Sequence, residues 1–332
     1  MSSLHIVVSV FSLYLIYVAN STMDPYKALN IILNPDGTLT RLSIPPQSPP
    51  SPDPTLPTPA LSKDLSVNQS KHTWARIYLP HNTKSKLPLI VFYHGGGFIL
   101  YNANSTYFHD FCANMANQTQ SIVVSLEYRL APEHRLPAAY QDSLEVLHWI
   151  KTSDDPWLRH ADYSRCYLMG ESAGGNIAYN AALRAAAEVD HIKPIQIKGV
   201  VLIQPFFGGT QRTPSEVRLA EDKTIPLPIT DLMWNLSLPV GADRDHEYSN
   251  PMLQGGGHAR ILDEIRALGW RVAVFGCQGD PLVDRDSDLV KLLHAKGIHV
   301  VGKFYQGGRH GIFIGDPSMS QQVFHLLQTL YG

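Results

Sequence analysis

Apolar, β-branched runs alternate with stretches of helical spacing along most of the chain after residue 70. Two apolar, β-branched runs predict buried strands, at 87–93 and 121–128, and further apolar runs predict strands at 166–170, 197–207, 270–278 and 299–305. Apolar positions recurring every three or four residues predict helices at 137–151, 173–189, 286–297 and 319–331. This alternation predicts an α/β fold whose mostly parallel sheet carries helices on both faces.

Two regions depart from the alternation. Residues 45–59 contain eight prolines, and proline fixes φ and removes a backbone donor, so an extended surface strap is predicted there. The strap would link an N-terminal arm at 23–44 to the main domain. Residues 208–262 are polar and proline-rich with short helical pieces, which predicts an insertion over the sheet and a candidate lid.

Residues 1–22 predict a leader or an upstream extension of the gene model. The apolar stretch at 4–19 is short for a membrane span, so no stable span is expected in the mature protein. It would suit a signal peptide, but no Lys or Arg precedes it, and Met23 begins a sequence typical of a natural start. We expect a cytoplasmic protein, with the secretory pathway as the alternative if 1–22 act as a signal peptide.

Composition narrows the class of protein. The 332 residues are 44% hydrophobic and carry a net charge of −2, which suits a globular domain and offers no basic excess for nucleic acid. The three cysteines are widely spaced. They predict neither a disulfide framework nor a zinc site, but buried or free thiols in a reducing compartment.

The first candidate chemistry is G-x-S-x-G at 170–174, between a predicted strand and a predicted helix. A sharp strand-to-helix turn of small residues would hold Ser172 at a strained apex. The following helix would point its free N–H groups and its positive dipole end at that serine. Ser172 is therefore the candidate nucleophile, and Glu171 is expected to serve the turn. The alternative is a tight turn that merely exposes a serine.

A glycine-rich stretch, HGGG at 94–97, follows another predicted strand. Bare backbone there would let N–H groups approach the negative oxygen of a tetrahedral intermediate. We expect the amides of Gly95 or Gly96, or both, and of Ala173 to form this oxyanion hole. His94 is expected to brace the loop rather than to carry a proton.

A nucleophilic serine needs a base and a group that orients the base. In the order serine, acid, histidine, His310 follows the last predicted strand in a glycine-rich loop, and Asp280 ends the strand before it. We favour Asp280 over Asp284, because Asp284, Asp286 and Asp288 lie where acids cap a helix start.

Several segments together resemble plant carboxylesterases of the hormone-sensitive-lipase-like branch of the α/β-hydrolases, over roughly residues 24–332. They are HGGGF, YRLAPEHRLPAAYQD, GESAGGN, DRDHEYSNP, GDPLVD and GGRHG. The resemblance implies an eight-stranded core at 61–332 and a helical cap made of the arm and strap at 23–60 and an insertion at about 208–250. It also implies the triad Ser172, Asp280 and His310, a small-molecule ester as partner, and no metal or organic cofactor.

Other members of this group keep two alternatives open. Hydroxyisoflavanone dehydratases commonly carry threonine at the nucleophile, and some relatives form lactones by acyl transfer on the same triad. Gibberellin receptors bind a small molecule and have the catalytic histidine replaced. Because Ser172 and His310 are present, we favour a serine carboxylesterase acting on a small hydrophobic or aryl ester.

Apolar residues near the expected mouth of the site are candidate substrate contacts. They are Phe98, Ile99, Phe206 and Phe207. An equally good interpretation of Phe206 and Phe207 is that they pack the cap onto the sheet.

Overall fold

One sheet of eight strands forms the centre of the computed structural model, which describes residues 23–253 and 258–331. The strands of the described residues are β1 (Ile31–Leu33), β2 (Leu39–Arg41), β3 (Ala60–Asn68), β4 (Thr73–Pro80), β5 (Leu87–Tyr93), β6 (Ile122–Glu127), β7 (Ala161–Glu171), β8 (Ile197–Ile203), β9 (Arg271–Cys277) and β10 (Val300–Tyr305). The sheet order is β10-β9-β8-β7-β5-β6-β4-β3, while β1 and β2 form a separate antiparallel pair. Only the β3–β4 and β4–β6 pairings of the sheet are antiparallel. The predicted α/β-hydrolase fold with a mostly parallel eight-stranded sheet is confirmed.

Helices cover both faces of this sheet. The longer ones are Thr106–Thr119, Ala138–Thr152, Ala173–Ala187, Leu227–Ser237, His258–Ala267, Val283–Ala295 and Pro317–Leu330. On β5, Leu89 and Val91 pack in one apolar cluster with residues of Ala138–Thr152 and Ala173–Ala187. Ile90 and Phe92 pack in the other, with residues of Thr106–Thr119 and Pro317–Leu330. Successive side chains of a strand point to opposite faces, so β5 supplies both cores.

The hydrophobic pattern of the sequence did not predict β3, β4 or the helix Thr106–Thr119. β3 is an edge strand in which only Ala60 and Ser62 are buried and the other positions are exposed or half-exposed, so it lacks the continuous apolar run of a central strand. Phe108, Phe111 and Met115 do recur at helical spacing and are buried, and this signal could have found the helix.

The helix His258–Ala267 begins inside the predicted insertion at 208–262 and extends beyond it, but it belongs to the main core. Its Leu262 and Ile265 are buried in the same apolar cluster as Ile177 of the helix Ala173–Ala187. The remainder of the insertion contains the helices Pro214–Arg218 and Leu227–Ser237. Both helices bury residues, and the second places Ile229, Met233 and Trp234 in the apolar core cluster.

The N-terminal arm is held against both the core and the insertion. Its helix Pro25–Ala28 packs against Leu227–Ser237. Arg41 donates to the carbonyl oxygens of Ile99 at 2.7 Å and Ala131 at 2.9 Å, and its guanidinium pairs with Glu133. A charged, bidentate donor that also binds backbone fixes geometry as well as adding energy. The arm is thereby tied to the loop that follows HGGG.

The predicted leader at 1–22 lies outside the described residues. Among the helices that are described, none has the length and apolar character needed to cross a membrane.

Candidate active site

Ser172 lies at a sharp turn between β7 and the helix Ala173–Ala187. Its backbone has φ 54° and ψ −120°, a conformation that is costly for a residue with a Cβ and persists where the surroundings enforce it. A Cβ on Gly174 would overlap the carbonyl oxygen of Tyr93. Glycine at 174 is therefore what allows the helix to start this close to β5.

The predicted serine, histidine and acid meet at the carboxyl edge of the sheet. His310 Nε2 lies 2.8 Å from Ser172 Oγ, and His310 Nδ1 lies 2.9 Å from Asp280 Oδ2. Asp284, the less favoured acid, instead accepts a hydrogen bond from the Ser215 amide at 2.7 Å. Parallel strands end at one edge, so residues that follow β7, β9 and β10 converge although they are far apart in the chain.

The electrostatics of His310 come from two opposing effects. Burial lowers its pKa, but the charge and the hydrogen bond of Asp280 outweigh burial and raise the pKa to about 9, with a further contribution from Glu171. Glu171 is itself buried beside the nucleophile, with Oε1 3.7 Å from His310 Nε2. Burial raises the Glu171 pKa to about 7, although the charge of His310 acts in the opposite direction.

These shifts predict the pH dependence of ester hydrolysis. Only neutral His310 can accept a proton, so kcat/KM should rise with pH through an apparent pKa well above the ordinary 6.5, towards about 9. Glu171→Gln removes a negative charge that favours the imidazolium and should move this rise to lower pH. The measurement is kcat/KM for p-nitrophenyl acetate from about pH 5 to about pH 10. Exposed Glu221→Gln is the control; a Glu171→Gln profile that coincides with the wild type contradicts the prediction.

The HGGG loop presents bare backbone next to the nucleophile. Within the described part of the chain, no group accepts a hydrogen bond from the amides of Gly95, Gly96 or Ala173. His94 braces the loop: its Nδ1 donates to the Gly95 carbonyl at 2.8 Å, and its ring stacks on Tyr128 with 4.3 Å between centroids. Burial lowers the His94 pKa to about 4, so the ring is neutral and the brace carries no charge.

The next residue of the loop touches the insertion. A Cβ on Gly97 would overlap the sulfur of Met233 in the helix Leu227–Ser237, and Gly97 has φ +60°. Ser237 of the same helix donates to the Gly97 carbonyl at 3.3 Å. The loop and this helix are therefore in direct contact.

The four candidate substrate contacts are buried, each at most 2% exposed. They are Phe98, Ile99, Phe206 and Phe207. Trp234 of the helix Leu227–Ser237 stacks on Phe206, with 4.5 Å between ring centroids, and lies 5.5 Å from Phe98. In this structure these aromatic rings join the insertion to the core, and the Phe206 amide also donates to the Ser172 carbonyl at 2.8 Å.

Two buried polar residues near the site differ from what the sequence indicated: Gln204 was given no role, and Asp286 was expected only to cap the start of its helix, which it does not do. Gln204 ends the apolar run of β8 and contacts Asp280; a polar residue at the carboxyl end of a central strand was the available signal. Asp286 lies on the helix Val283–Ala295, fully buried, and neither carboxylate oxygen has a partner among the described residues. Burial first, and then the negative charge of Asp280, raise the Asp286 pKa well above its ordinary value.

Asp286→Asn is expected to stabilise the protein increasingly as pH rises. When the pKa of a carboxyl is higher in the folded than in the unfolded protein, the folded state holds the proton more tightly. The free energy of unfolding is then greatest below the unfolded pKa and falls as pH rises towards the folded pKa. Above the ordinary carboxyl pKa of about 4, and for as long as Asp286 stays protonated in the folded protein, the wild type should lose up to about 1.4 kcal/mol per pH unit relative to the variant. Urea unfolding at several pH values measures this, with Asp288→Asn as control, since Asp288 lies on the same helix but is partly exposed and paired with Lys291. A constant difference between variant and wild type across that range would contradict it.

The three cysteines, Cys112, Cys166 and Cys277, are buried and free. No group of His, Cys, Asp or Glu in the described ranges is arranged to hold a metal ion.

Comparison with known proteins identifies the family. The α/β-hydrolase fold family matches residues 90–314. Carboxylesterase 20 of Arabidopsis thaliana is 51% identical over 310 residues, which are 91% of this chain and 94% of that protein. The chain belongs to the α/β-hydrolase carboxylesterases. This chain is also 42% identical to a 3-O-acetylpapaveroxine carboxylesterase of Papaver somniferum, over 90% of this chain and 97% of the relative.

Among solved structures, the carboxylesterase is similar to a hyperthermophilic esterase from Pyrobaculum calidifontis. The TM-score is 0.67 at 26% identity, with 81% of this chain and 84% of that chain covered. Two relatives with other names are more distant. A 2-hydroxyisoflavanone dehydratase of Glycyrrhiza echinata is 37% identical over 75% of this chain. A gibberellin receptor of Arabidopsis thaliana is 37% identical over 56% of this chain. The predicted resemblance and the assignment as a carboxylic ester hydrolase are confirmed.

Proposed function

We propose that this carboxylesterase cleaves short-chain, acetyl-type esters of hydrophobic or aryl alcohols through an acyl-serine intermediate. The observation that carries the proposal is the unbroken set of hydrogen bonds from Ser172 through His310 to Asp280, at 2.8 Å and 2.9 Å. These distances lie within the reach required for proton transfer between a nucleophile and its base.

In the first half of the reaction, Ser172 Oγ forms a bond to the ester carbonyl carbon while its proton passes to His310 Nε2. Asp280 keeps the other ring proton on Nδ1 and stabilises the imidazolium. The carbonyl oxygen becomes an oxyanion, and the amides of Gly95, Gly96 and Ala173 are the proposed donors to it. Each such donor is worth about 3–4 kcal/mol in comparable hydrolases.

Collapse of this intermediate breaks the bond to the alcohol, which leaves with the proton from His310 Nε2 and gives the acyl-serine. In the second half, water gives a proton to the same nitrogen as its oxygen attacks the acyl carbon, which forms a second tetrahedral intermediate. This intermediate breaks its bond to Ser172 Oγ, which takes the proton from His310 Nε2, and the carboxylic acid is released. The oxyanion donors serve both steps, because the negative oxygen forms at the same position each time.

The substrate class rests on the apolar residues near the nucleophile. Phe98, Ile99, Phe206 and Phe207 pack the insertion onto the core with at most 2% of each exposed, and they are proposed as the apolar backing of a small-molecule site, since such sites are lined mainly by apolar groups. Because Trp234 packs tightly against Phe98 and Phe206, long acyl chains are expected to fit poorly. The Papaver relative is named for an acetyl ester, which agrees with a short acyl group.

An acyl-length series with product analysis tests the proposal. Acetate, butyrate and octanoate esters of p-nitrophenol and 1-naphthol are compared, and the released acid and alcohol are quantified. We expect kcat/KM to fall with acyl length and a p-nitrophenyl phosphonate to label the peptide that contains Ser172. Labelling at another residue would contradict the acyl-serine mechanism. Recovery of a dehydrated or transacylated product in place of free acid would overturn hydrolysis.

We also propose a cytoplasmic location. Three buried free thiols are typical of proteins in reducing compartments. A fluorescent fusion at the carboxyl terminus of the full chain tests this, and N-glycosylation of the expressed protein would contradict it.

A further inference from the structure

Gln204 connects the acid of the site to the loop that carries the histidine. Its Nε2 donates to Asp280 Oδ2, the same oxygen that accepts from His310 Nδ1, and also to the Arg309 carbonyl at 3.1 Å. Its Oε1 accepts from the Gly311 amide at 2.9 Å. The two residues that flank His310 are therefore both held by one fully buried side chain.

The backbone around Gln204 is held equally firmly. The sheet order places β8 between β7 and β9, which precede the nucleophile and the acid. The Ser172 amide donates to the Ile203 carbonyl at 2.9 Å, and the Gln204 amide donates to the Phe275 carbonyl at 2.7 Å. Gln204 has φ 43°, a left-handed conformation that a non-glycine residue keeps only where its surroundings enforce it.

We propose that Gln204 is a positioning residue that fixes His310 between Asp280 and Ser172. The inference rests on the proposed triad. A single glutamine spans the ends of the strands that supply the nucleophile and the acid, and it clamps the histidine loop from both sides. Positional errors of about 1 Å in such a site lower rates by about 100-fold.

Only an amide side chain can make this set of contacts. It donates from one atom to a carboxylate and a carbonyl, and accepts from a backbone amide at the other. A glutamate at 204 would keep the acceptor for Gly311 but set an oxygen against Asp280. A methionine would retain the approximate volume and lose every hydrogen bond of the side chain.

The charges around His310 make the substitution Gln204→Glu informative. The titratable groups that act on His310, Asp280 or both are Glu171, Asp222, Cys277 and Asp286. All of them are acids, so they favour the imidazolium or leave it unaffected. One more carboxyl at position 204 should move the titration of His310 to higher pH.

The test compares Gln204→Glu and Gln204→Met with the wild type in two measurements. The first is the pH profile of kcat and KM for p-nitrophenyl acetate. The second is the strongly downfield NMR signal of the proton between His310 Nδ1 and Asp280 Oδ2, which requires no ester. The matched control is Asn180→Asp, a buried amide on the helix Ala173–Ala187 that donates to the Asn176 carbonyl at 3.1 Å.

We expect both Gln204 variants to lower kcat by about 10- to 100-fold with KM nearly unchanged. Gln204→Glu should shift the NMR titration and the rise of kcat/KM to higher pH. Gln204→Met should broaden the downfield signal, because the loosened loop exposes the proton to exchange. Asn180→Asp should leave the NMR titration midpoint and kcat near the wild type.

The outcomes separate the two proposals. If the wild type gives no downfield signal and no hydrolysis, the proposed triad fails and the role of Gln204 fails with it. If the wild type gives both, and Gln204→Met keeps its kcat and its sharp signal, the triad stands and the positioning role is overturned. Gln204→Met decides the matter alone if Gln204→Glu does not fold.

Discussion

Ser172→Ala is expected to lower kcat for ester hydrolysis by about a millionfold, to the level left by binding and the oxyanion donors. The variant removes the atom that forms the bond to the acyl carbon and leaves His310 without the 2.8 Å partner that it deprotonates. The folded structure should survive, because the side chain is lost but the strained backbone and its amide bond to the Ile203 carbonyl remain.

Single-turnover and steady-state assays with p-nitrophenyl acetate measure this loss. Ser143→Ala is the control, since Ser143 is a buried serine that donates to the Tyr140 carbonyl within the helix Ala138–Thr152. Circular dichroism establishes that both variants are folded. Substantial esterase activity in purified Ser172→Ala would rule out this residue as nucleophile.

Asp280→Asn is expected to lower kcat by about 10,000-fold with little change in structure. An asparagine can donate an N–H to His310 Nδ1, which leaves the ring proton on Nε2, the atom that must accept from Ser172. The Gln204 Nε2 group would also face the new amide where it now meets a carboxylate. The donated N–H favours the tautomer that cannot act as base, and it leaves the Gln204 Nε2 group without its acceptor.

Asp284→Asn provides the matched control, because this acid lies four residues on and accepts from the Ser215 amide rather than from His310. The pH profile of the Asp280→Asn variant should change as well, since the main group that raises the His310 pKa is lost. If Asp284→Asn were the more damaging substitution, the assignment of the acid would be wrong.

The parts of the fold that sequence could predict are those whose physics is local. The central strand β5 is a continuous apolar run, and β8 has none but small or apolar residues after Lys198, because both faces are buried there. β3 escaped prediction because an edge strand buries one face only partly, and its Lys63 and Asp64 resemble a surface loop in sequence.

The candidate site divides in the same way. Ser172, Asp280 and His310 were predictable because parallel strands bring their following residues to one edge, whatever their separation in the chain. Gln204 carried one signal, its place at the carboxyl end of β8, but its hydrogen bonds to Asp280 and to the His310 loop depend on how its side chain packs. Asp286 carried no such signal, because its burial without a partner is set by packing and not by spacing in the chain.

The contact between Gly97 and Met233 has a consequence for engineering. A helix that fills the space of a missing Cβ constrains which loop sequences can be combined with which helix sequences. Grafting the segment 208–250 from a relative onto this scaffold should work only if residues 94–101 travel with it. Arg41 donates to the Ile99 carbonyl at 2.7 Å. The N-terminal arm should therefore be exchanged together with these two segments. Recombination libraries that keep the arm, residues 94–101 and the segment 208–250 from one parent are expected to yield far more active chimeras than libraries cut at the strand ends alone.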